Sequence, residues 1–265
     1  MAMTELSASP SVADGLAVIV VAAGSGTRLG HGMPKALVPL AGRPLLDIAL
    51  ESVTRALPSA RIIVTVPAGD RALSDIAAAH GARAVTGGAT RAQSVACALA
   101  ALDAAPKYVL VHDAARCLVP PQVTTAVVAA LEAGERAVVP VLAVNDTVRG
   151  VDAQGHSTGT VDRSGLRAVQ TPQGFDAELL VSVNRQAGLL ELNDHGALTP
   201  VNRSADPEGI TDDASLIERF ARHVPVTLVA GHDESFKITR PFDLITARVV
   251  LEERAHWAVA DHAAE

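Results

Sequence analysis

The sequence predicts an α/β fold: a Rossmann-like, mostly parallel sheet with helices on both faces, plus one projecting β-hairpin arm. Three observations carry this prediction. Continuous apolar runs at Val18–Val21, Arg61–Val66 and Lys107–Val111 have the character of strands buried on both faces. Longer helical patterns separate those runs, and repeated strand–helix alternation builds parallel sheets. Glycine-rich and polar turns follow the strand ends, where such sheets bind ligands.

The elements follow in order. Met1–Gly15 is polar, lacks the basic start and apolar run of a secretory signal, and is expected to be disordered. Strand Val18–Val21 runs into Ala22-Ala23-Gly24-Ser25-Gly26. Pro44–Leu57 reads as a helix with proline at its first turn and apolar Leu46, Ala49, Leu50 and Val53 on one face. After strand Arg61–Val66 comes helix Asp70–His80, stopped by Gly81. Strand Ala82–Thr86 leads into Gly87-Gly88. Helix Arg91–Ala104 is Ala-rich and should pack Cys97 on its core side. Strand Lys107–Val111 ends at His112-Asp113, and helix Pro120–Ala133 and strand Arg136–Leu142 follow. Asn145–Phe175 then breaks the pattern with Gly, Thr and Asp and short alternating runs, and is expected to form the arm. A helix from Asp176 precedes a polar stretch, Asn193–Gly209, read as a surface loop or mobile lid. Thr211-Asp212-Asp213 caps a helix to Arg222. Strand Val224–Ala230 and helix Pro241–Trp257 complete a single domain over residues 16–257. Residues 258–265 are expected to be a loose tail.

Composition excludes several classes. The chain has 265 residues, is 49% hydrophobic and carries a formal charge of −7, enough length for one large α/β domain. An acidic balance with only 2% aromatics argues against a nucleic-acid surface. Cys97 and Cys117 make neither a disulfide framework nor a metal cluster. No apolar run reaches the ~18 residues that span a membrane, so the expected compartment is the cytoplasm.

The turn after the first strand suggests a phosphate site. Glycines let backbone approach an anion, and successive N–H groups form a concave nest. Arg28 and Lys35 could neutralise what amides cannot. The dinucleotide fingerprint is incomplete, because Leu29 stands at its third glycine, and no G-x-x-x-x-G-K-[ST] loop occurs. Gly-x-Gly-x-Arg followed by Pro-Lys suits a nucleoside triphosphate better. An ordinary strand-to-helix turn with two solvated cations is the plainer reading. Gly155-His156-Ser157-Thr158-Gly159 matches G-x-S-x-G but lacks the flanking strand and helix of a nucleophile elbow. The nine histidines show no metal-ligand spacing, and His112 reads as a structural histidine. Arg28, Lys35, Arg116, Arg163 and Lys237 follow strand ends or lie on the arm. In an acidic chain this implies a concentrated anionic ligand.

The runs AAGSGTRLG…PK, GG…RAQSV, VHDAAR, NDT, TVDRSGL, QTPQGF, TDDAS and FKITRPFDL occur together in this order. On them the chain resembles the 2-C-methyl-D-erythritol 4-phosphate cytidylyltransferases of the non-mevalonate isoprenoid pathway, from about Leu16 to Leu251. The HDAAR and KITRP types together are specific; AAGxGxR is shared by many nucleotidyltransferases of the nucleotide-diphospho-sugar transferase type. The resemblance implies that CTP and methylerythritol phosphate give the CDP-alcohol and pyrophosphate, with magnesium. It implies that Arg28 and Lys35 stabilise the transition state, and that Arg163 and Lys237 position the acceptor phosphate. Ala22, Ala23, Gly24, Gly26, Gly88, Ser94 and Asp113 match the CTP pocket. Asp113, Arg116, Thr147, Thr171 and Thr211 match the acceptor side, with Asp113 also a candidate magnesium ligand. Residues 145–175 match an arm that crosses a homodimer interface, lending Thr147 and Arg163 to the neighbouring site. Ala89 stands where the family often has Asp, which shifts base recognition toward backbone groups, and Cys117 replaces a usual proline. The alternatives are a ribitol 5-phosphate cytidylyltransferase, another sugar-phosphate nucleotidyltransferase, and a non-catalytic nucleotide sensor.

Overall fold

The computed structural model describes residues 15–24, 26, 29–30, 32–103, 105–202 and 207–262. Along the chain run β1 (Leu16–Val21), β2 (Pro39–Leu40), β3 (Arg43–Pro44), α1 (Leu45–Ala56), β4 (Arg61–Val66), α2 (Arg71–Ala79), β5 (Arg83–Thr86), α3 (Arg91–Ala100), β6 (Tyr108–Asp113), α4 (Pro121–Glu132) and β7 (Ala137–Ala143). Then come β8 (Val148–Val151), β9 (Ser157–Val161), β10 (Arg167–Val169), β11 (Gln173–Asp176), α5 (Ala177–Gln186), β12 (Leu190–Leu192), β13 (Leu198–Pro200), α6 (Asp213–Phe220), β14 (Thr227–Ala230) and α7 (Pro241–His262).

The main sheet has the order β10-β7-β11-β6-β1-β4-β5, with β14 also paired to β7. Pairs β1–β4, β1–β6, β4–β5 and β7–β14 are parallel. Strand β11 runs antiparallel between β6 and β7, and β10 antiparallel to β7. The mostly parallel sheet is therefore present, with two antiparallel strands, β10 and β11.

Alternation along the strands divides the core. Ile19, Ile63, Val109 and Val111 enter the layer of α3, α5 and α6. Val18, Val20, Ile62, Val64 and Leu110 enter the layer of α1, α2 and α4. Each fully buried aliphatic side chain contributes about 1.5–3 kcal/mol, so a strand loaded on both faces can sit only at the centre of the molecule. A third cluster joins Val38, Leu40, Leu118, Ile238 and Ala247 beneath α7. That cluster anchors the loop carrying Lys237 through its buried neighbour Ile238.

Several expectations need correction. Cys97 is half-buried rather than in the core, because Val95, Ala96, Ala98 and Leu99 fill the core side of α3. Pro44 stands at the N-cap of α1, not inside its first turn. The free arm is narrower than 145–175: only β8 and β9 form the separate hairpin, while β10 and β11 return to the main sheet. The polar stretch begins as a second hairpin, β12–β13, since Asn193 Oδ1 accepts from the His195 and Ala197 amides at 3.0 and 2.9 Å and closes the turn. Residues 258–262, expected in the tail, continue α7, as their alanines favour. The N-terminal expectation over 1–14 and the tail over 263–265 lie outside the described residues.

Candidate active site

A cavity of about 400 Å³ opens at the carboxyl ends of β1, β5 and β6, as expected for such a sheet. Four segments that are separate in the sequence build it.

The first is the turn after β1. Its start is fixed by the Ala22 amide donating to Thr65 O at 3.0 Å. Gly26 has φ +69°, and a Cβ there would stand 2.8 Å from Lys35 Cβ. Only glycine lets the loop fold back this closely, and the fold brings Lys35 beside Gly24, to whose carbonyl the Lys35 amide donates at 3.2 Å. The second segment runs from Gly87 to Ser94. A Cβ on Gly87 would meet Ala23 Cβ at 2.6 Å, and one on Gly88 would meet Gln93 Cβ at 2.4 Å, so the two glycine turns pack backbone against side chain. Thr90 caps α3 by accepting from the Gln93 amide at 3.2 Å.

The third segment is the end of β6, where Asp113 is 6% exposed. The fourth is the loop after β14. The Ile238 amide donates to Ala115 O at 2.9 Å, and the Thr239 and Arg240 amides donate to Asp243 Oδ2 at 2.6 and 2.8 Å. Those bonds hold Lys237 over the cavity.

Charges in and behind the cavity wall form a chain. Lys237 Nζ donates to Asp113 Oδ2 at 2.7 Å, Arg91 Nε donates to Asp113 Oδ1 at 2.9 Å, and Arg91 Nη1 donates to Asp213 Oδ2 at 2.7 Å. Burial alone would push the Asp113 carboxyl up, but Arg91 and Lys237 overcome it and hold the group well below the usual carboxylate range. Burial also disfavours charge on Arg91, and Asp213 and Asp113 more than offset that.

Ala22, Ala23, Gly24, Gly26, Lys35, Gly88, Ser94, Asp113 and Lys237 therefore line one cavity, as the motifs implied. Arg28 lies outside the described residues. The remaining acceptor-side expectations do not reach the cavity within one chain. Arg116 Nη1 donates to Ser235 O at 2.8 Å and its Nη2 to Val169 O at 3.1 Å, so its guanidinium ties the Lys237 loop to β10. Thr171 is buried behind Asp113, its Oγ1 accepting from the Asp113 amide at 3.1 Å. Thr211 stands exposed ahead of α6, its amide donating to Ser215 Oγ at 3.1 Å. Thr147 and Arg163 sit on the exposed arm, where Arg163 donates to the Asn145 carbonyl. Both Asp113 carboxylate oxygens are engaged, Oδ1 by Arg91 and Oδ2 by Lys237. Sequence reasoning missed Arg91, Asp213 and Thr239. Arg91 carried a usable signal, a cation on the first helical turn after a glycine pair.

Beneath the site His112 is 1% exposed, with Nδ1 3.0 Å from Thr171 Oγ1. Burial pushes its pKa down to about 4 from an ordinary value near 6.5. Between those values the unfolded chain binds a proton that the folded chain refuses, so stability falls as pH drops from 6.5 toward 4. The cumulative loss should be about 3 kcal/mol. Urea midpoints at pH 7 and pH 4.5 should differ less in His112→Gln than in the native protein; an equal difference would contradict the assignment.

The family model for 2-C-methyl-D-erythritol 4-phosphate cytidylyltransferase (IspD) matches residues 16–253. The chain belongs to this family. Among its relatives, the 2-C-methyl-D-erythritol 4-phosphate cytidylyltransferase of Nocardia farcinica is 46% identical over 91% of this chain and 96% of its own length. The cytidylyltransferase of Rhodococcus opacus is 44% identical over 90% and 96%. Among solved structures, the 2-C-methyl-D-erythritol 4-phosphate cytidylyltransferase of Thermus thermophilus superposes with a TM-score of 0.66 at 34% identity, over 88% of this chain and 97% of that one. The 4-diphosphocytidyl-2C-methyl-D-erythritol synthase of Anaerococcus prevotii gives 0.72 at 28% identity, over 91% and 99%. The chain thus shares its fold with these cytidylyltransferases.

Proposed function

We infer that this chain transfers CMP from CTP to 2-C-methyl-D-erythritol 4-phosphate and releases pyrophosphate, a step toward isoprenoid precursors. The observation that carries this, beside family membership, is the meeting of Lys35 and Lys237 in one cavity floored by two glycine turns. An acceptor phosphate has its second pKa near 6 and is already a dianion at neutral pH. One of its oxygens attacks the α-phosphorus of CTP, the bond to the β-phosphate bridge breaks, and pyrophosphate leaves with that electron pair. No proton need move, so no general base is required. Catalysis then rests on positioning and on positive charge where negative charge accumulates. Ser94 is not arranged as a nucleophile, since its Oγ donates to Thr90 O at 2.8 Å and is bonded to no base among the described residues.

Magnesium is proposed to arrive with the triphosphate. Among the described residues no group of three metal-ligating side chains exists, and Asp113 is engaged by Arg91 and Lys237. Phosphates and water would supply its ligands, as is common for this ion. The arm is proposed to cross to a second copy. A two-stranded hairpin is marginal alone, and this one exposes Val151 at 69%. Arg163→Ala should then raise the acceptor KM and leave CTP binding intact. Mixing Arg163→Ala with Lys35→Ala protein should restore turnover, because one site of the mixed dimer regains both residues; no recovery would contradict the crossing. No described helix is long and apolar enough to cross a membrane. The cytoplasm is the proposed compartment, consistent with Cys97 and Cys117 both being free.

The test is a pyrophosphate-release assay that pairs CTP with methylerythritol phosphate, ribitol 5-phosphate and a sugar 1-phosphate, then exchanges CTP for UTP and GTP. Preferred turnover of CTP with methylerythritol phosphate is expected. Preference for ribitol 5-phosphate, or CTP binding without pyrophosphate, would overturn the reading.

A further inference from the structure

We propose that Arg91 and Asp213 are positioning residues that set where the Lys237 ammonium stands in the cavity. The inference rests on reading Lys237 as the acceptor-side cation.

Four elements contribute one charge each. Asp213 is the first residue of α6, Arg91 the first of α3, Asp113 the last of β6, and Lys237 follows β14. The links measure 2.7, 2.9 and 2.7 Å from Asp213 to Lys237. Burial pushes the Asp213 carboxyl up while Arg91 draws it down, and bonds to charged groups are shorter and stronger than neutral ones. The guanidinium is a rigid planar fork, so two carboxylates fix its plane. Its third nitrogen, Nη2, meets no acceptor among the described residues, which leaves Asp113 and Asp213 to set its orientation.

The far end of the chain is itself held. Gln173 Nε2 donates to Asp212 Oδ2 at 2.8 Å, and the Ala214 amide donates to Gln173 Oε1 at 3.2 Å, pinning both neighbours of Asp213 to β11. Asp212 and Ser215 form a reciprocal capping box that fixes the same turn. Asp213 is 1% exposed in its side chain and does not line the cavity, so it cannot touch substrate. A buried ion pair is a weak device for stability, and well-packed apolar residues often do as well or better. Holding a charge in register explains why this one is ionic. Lys237 is 38% exposed in its side chain and would otherwise range over many rotamers; Asp113 holds it from one side, and Arg91 with Asp213 holds Asp113.

The test is a double-mutant cycle. Asp213→Asn keeps the shape and removes the charge; Arg91→Lys keeps the charge and cannot bridge two carboxylates. Each is made with native Lys237 and with Lys237→Ala. With native Lys237, kcat/KM for the acceptor should fall about 10-fold, whereas in the Lys237→Ala background the same change should cost less than about 2-fold. The CTP KM should stay within about 3-fold in both backgrounds, on the same additivity argument. Equal losses in the two backgrounds would overturn the proposal. Where Asp213→Asn does not fold, Arg91→Lys carries the cycle. A second readout needs no turnover: the rate at which an amine-reactive ester acylates Lys237, followed by peptide mass spectrometry. That rate should rise several-fold in either variant as the ammonium is released. An unchanged rate would overturn the proposal even if the acceptor assigned above proved wrong.

Discussion

Lys35→Ala should lower kcat by about 100-fold or more, the scale for losing one preorganised charge contact to a transition state. The site isolates this effect well. Lys35 Cβ already packs at Gly26, and its amide donates to Gly24 O, so alanine keeps both of those contacts. What disappears is the charged end of a side chain that lines the cavity. Negative charge on the phosphates grows as the acceptor approaches, so the loss should fall on kcat more than on CTP affinity. Steady-state kinetics with saturating acceptor, beside a direct CTP titration, would separate the two. Near-normal turnover would remove Lys35 from the mechanism.

Asp113→Ala should have the largest effect on stability, about 3 kcal/mol at pH 7, because removing one member of a buried ionic cluster strands its partners. Arg91 would keep only Asp213, and Lys237 would lose its acceptor. The direction with pH follows from the depressed pKa of Asp113. The stabilisation is present above the unfolded value near 3.8 and is lost as pH falls through the lower folded value. Urea midpoints of native and variant protein should therefore differ fully at pH 7, begin to converge only below about pH 4, and go on converging toward the lower folded value. Equal midpoints at pH 7 would show that the carboxylate contributes nothing net.

Much of this architecture was legible in the residues. Strand Arg61–Val66 reads from Ile62, Ile63, Val64 and Val66, because a strand buried on both faces is mostly apolar, even with Thr65 buried among them. Helix α2 announced itself through Asp70, which accepts from the Leu73 amide at 3.0 Å, and through Gly81 at φ +69°. The nucleotide side of the cavity was legible because glycine there is a steric demand, visible at Gly26, Gly87 and Gly88. The acceptor side was less so. Thr171, Arg116 and Thr211 lie in motifs that point to the site, yet their hydrogen bonds brace the loops around it. Asp213 was hidden for a physical reason: next to Asp212 it reads as half of a helix cap. Only the fold brings it to Arg91, across 122 residues. The antiparallel turn of β11 was equally illegible, since pairing direction leaves no trace in so short a strand as Gln173–Asp176.

The central claim is that two anions react directly, brought together by cations from separate segments and with no covalent relay through the protein. Rapid-quench measurement of pyrophosphate in the first turnover tests it. The account predicts no pyrophosphate from enzyme and CTP alone, and release only when methylerythritol phosphate is added. A burst of pyrophosphate stoichiometric with enzyme, formed from CTP without acceptor, would contradict it.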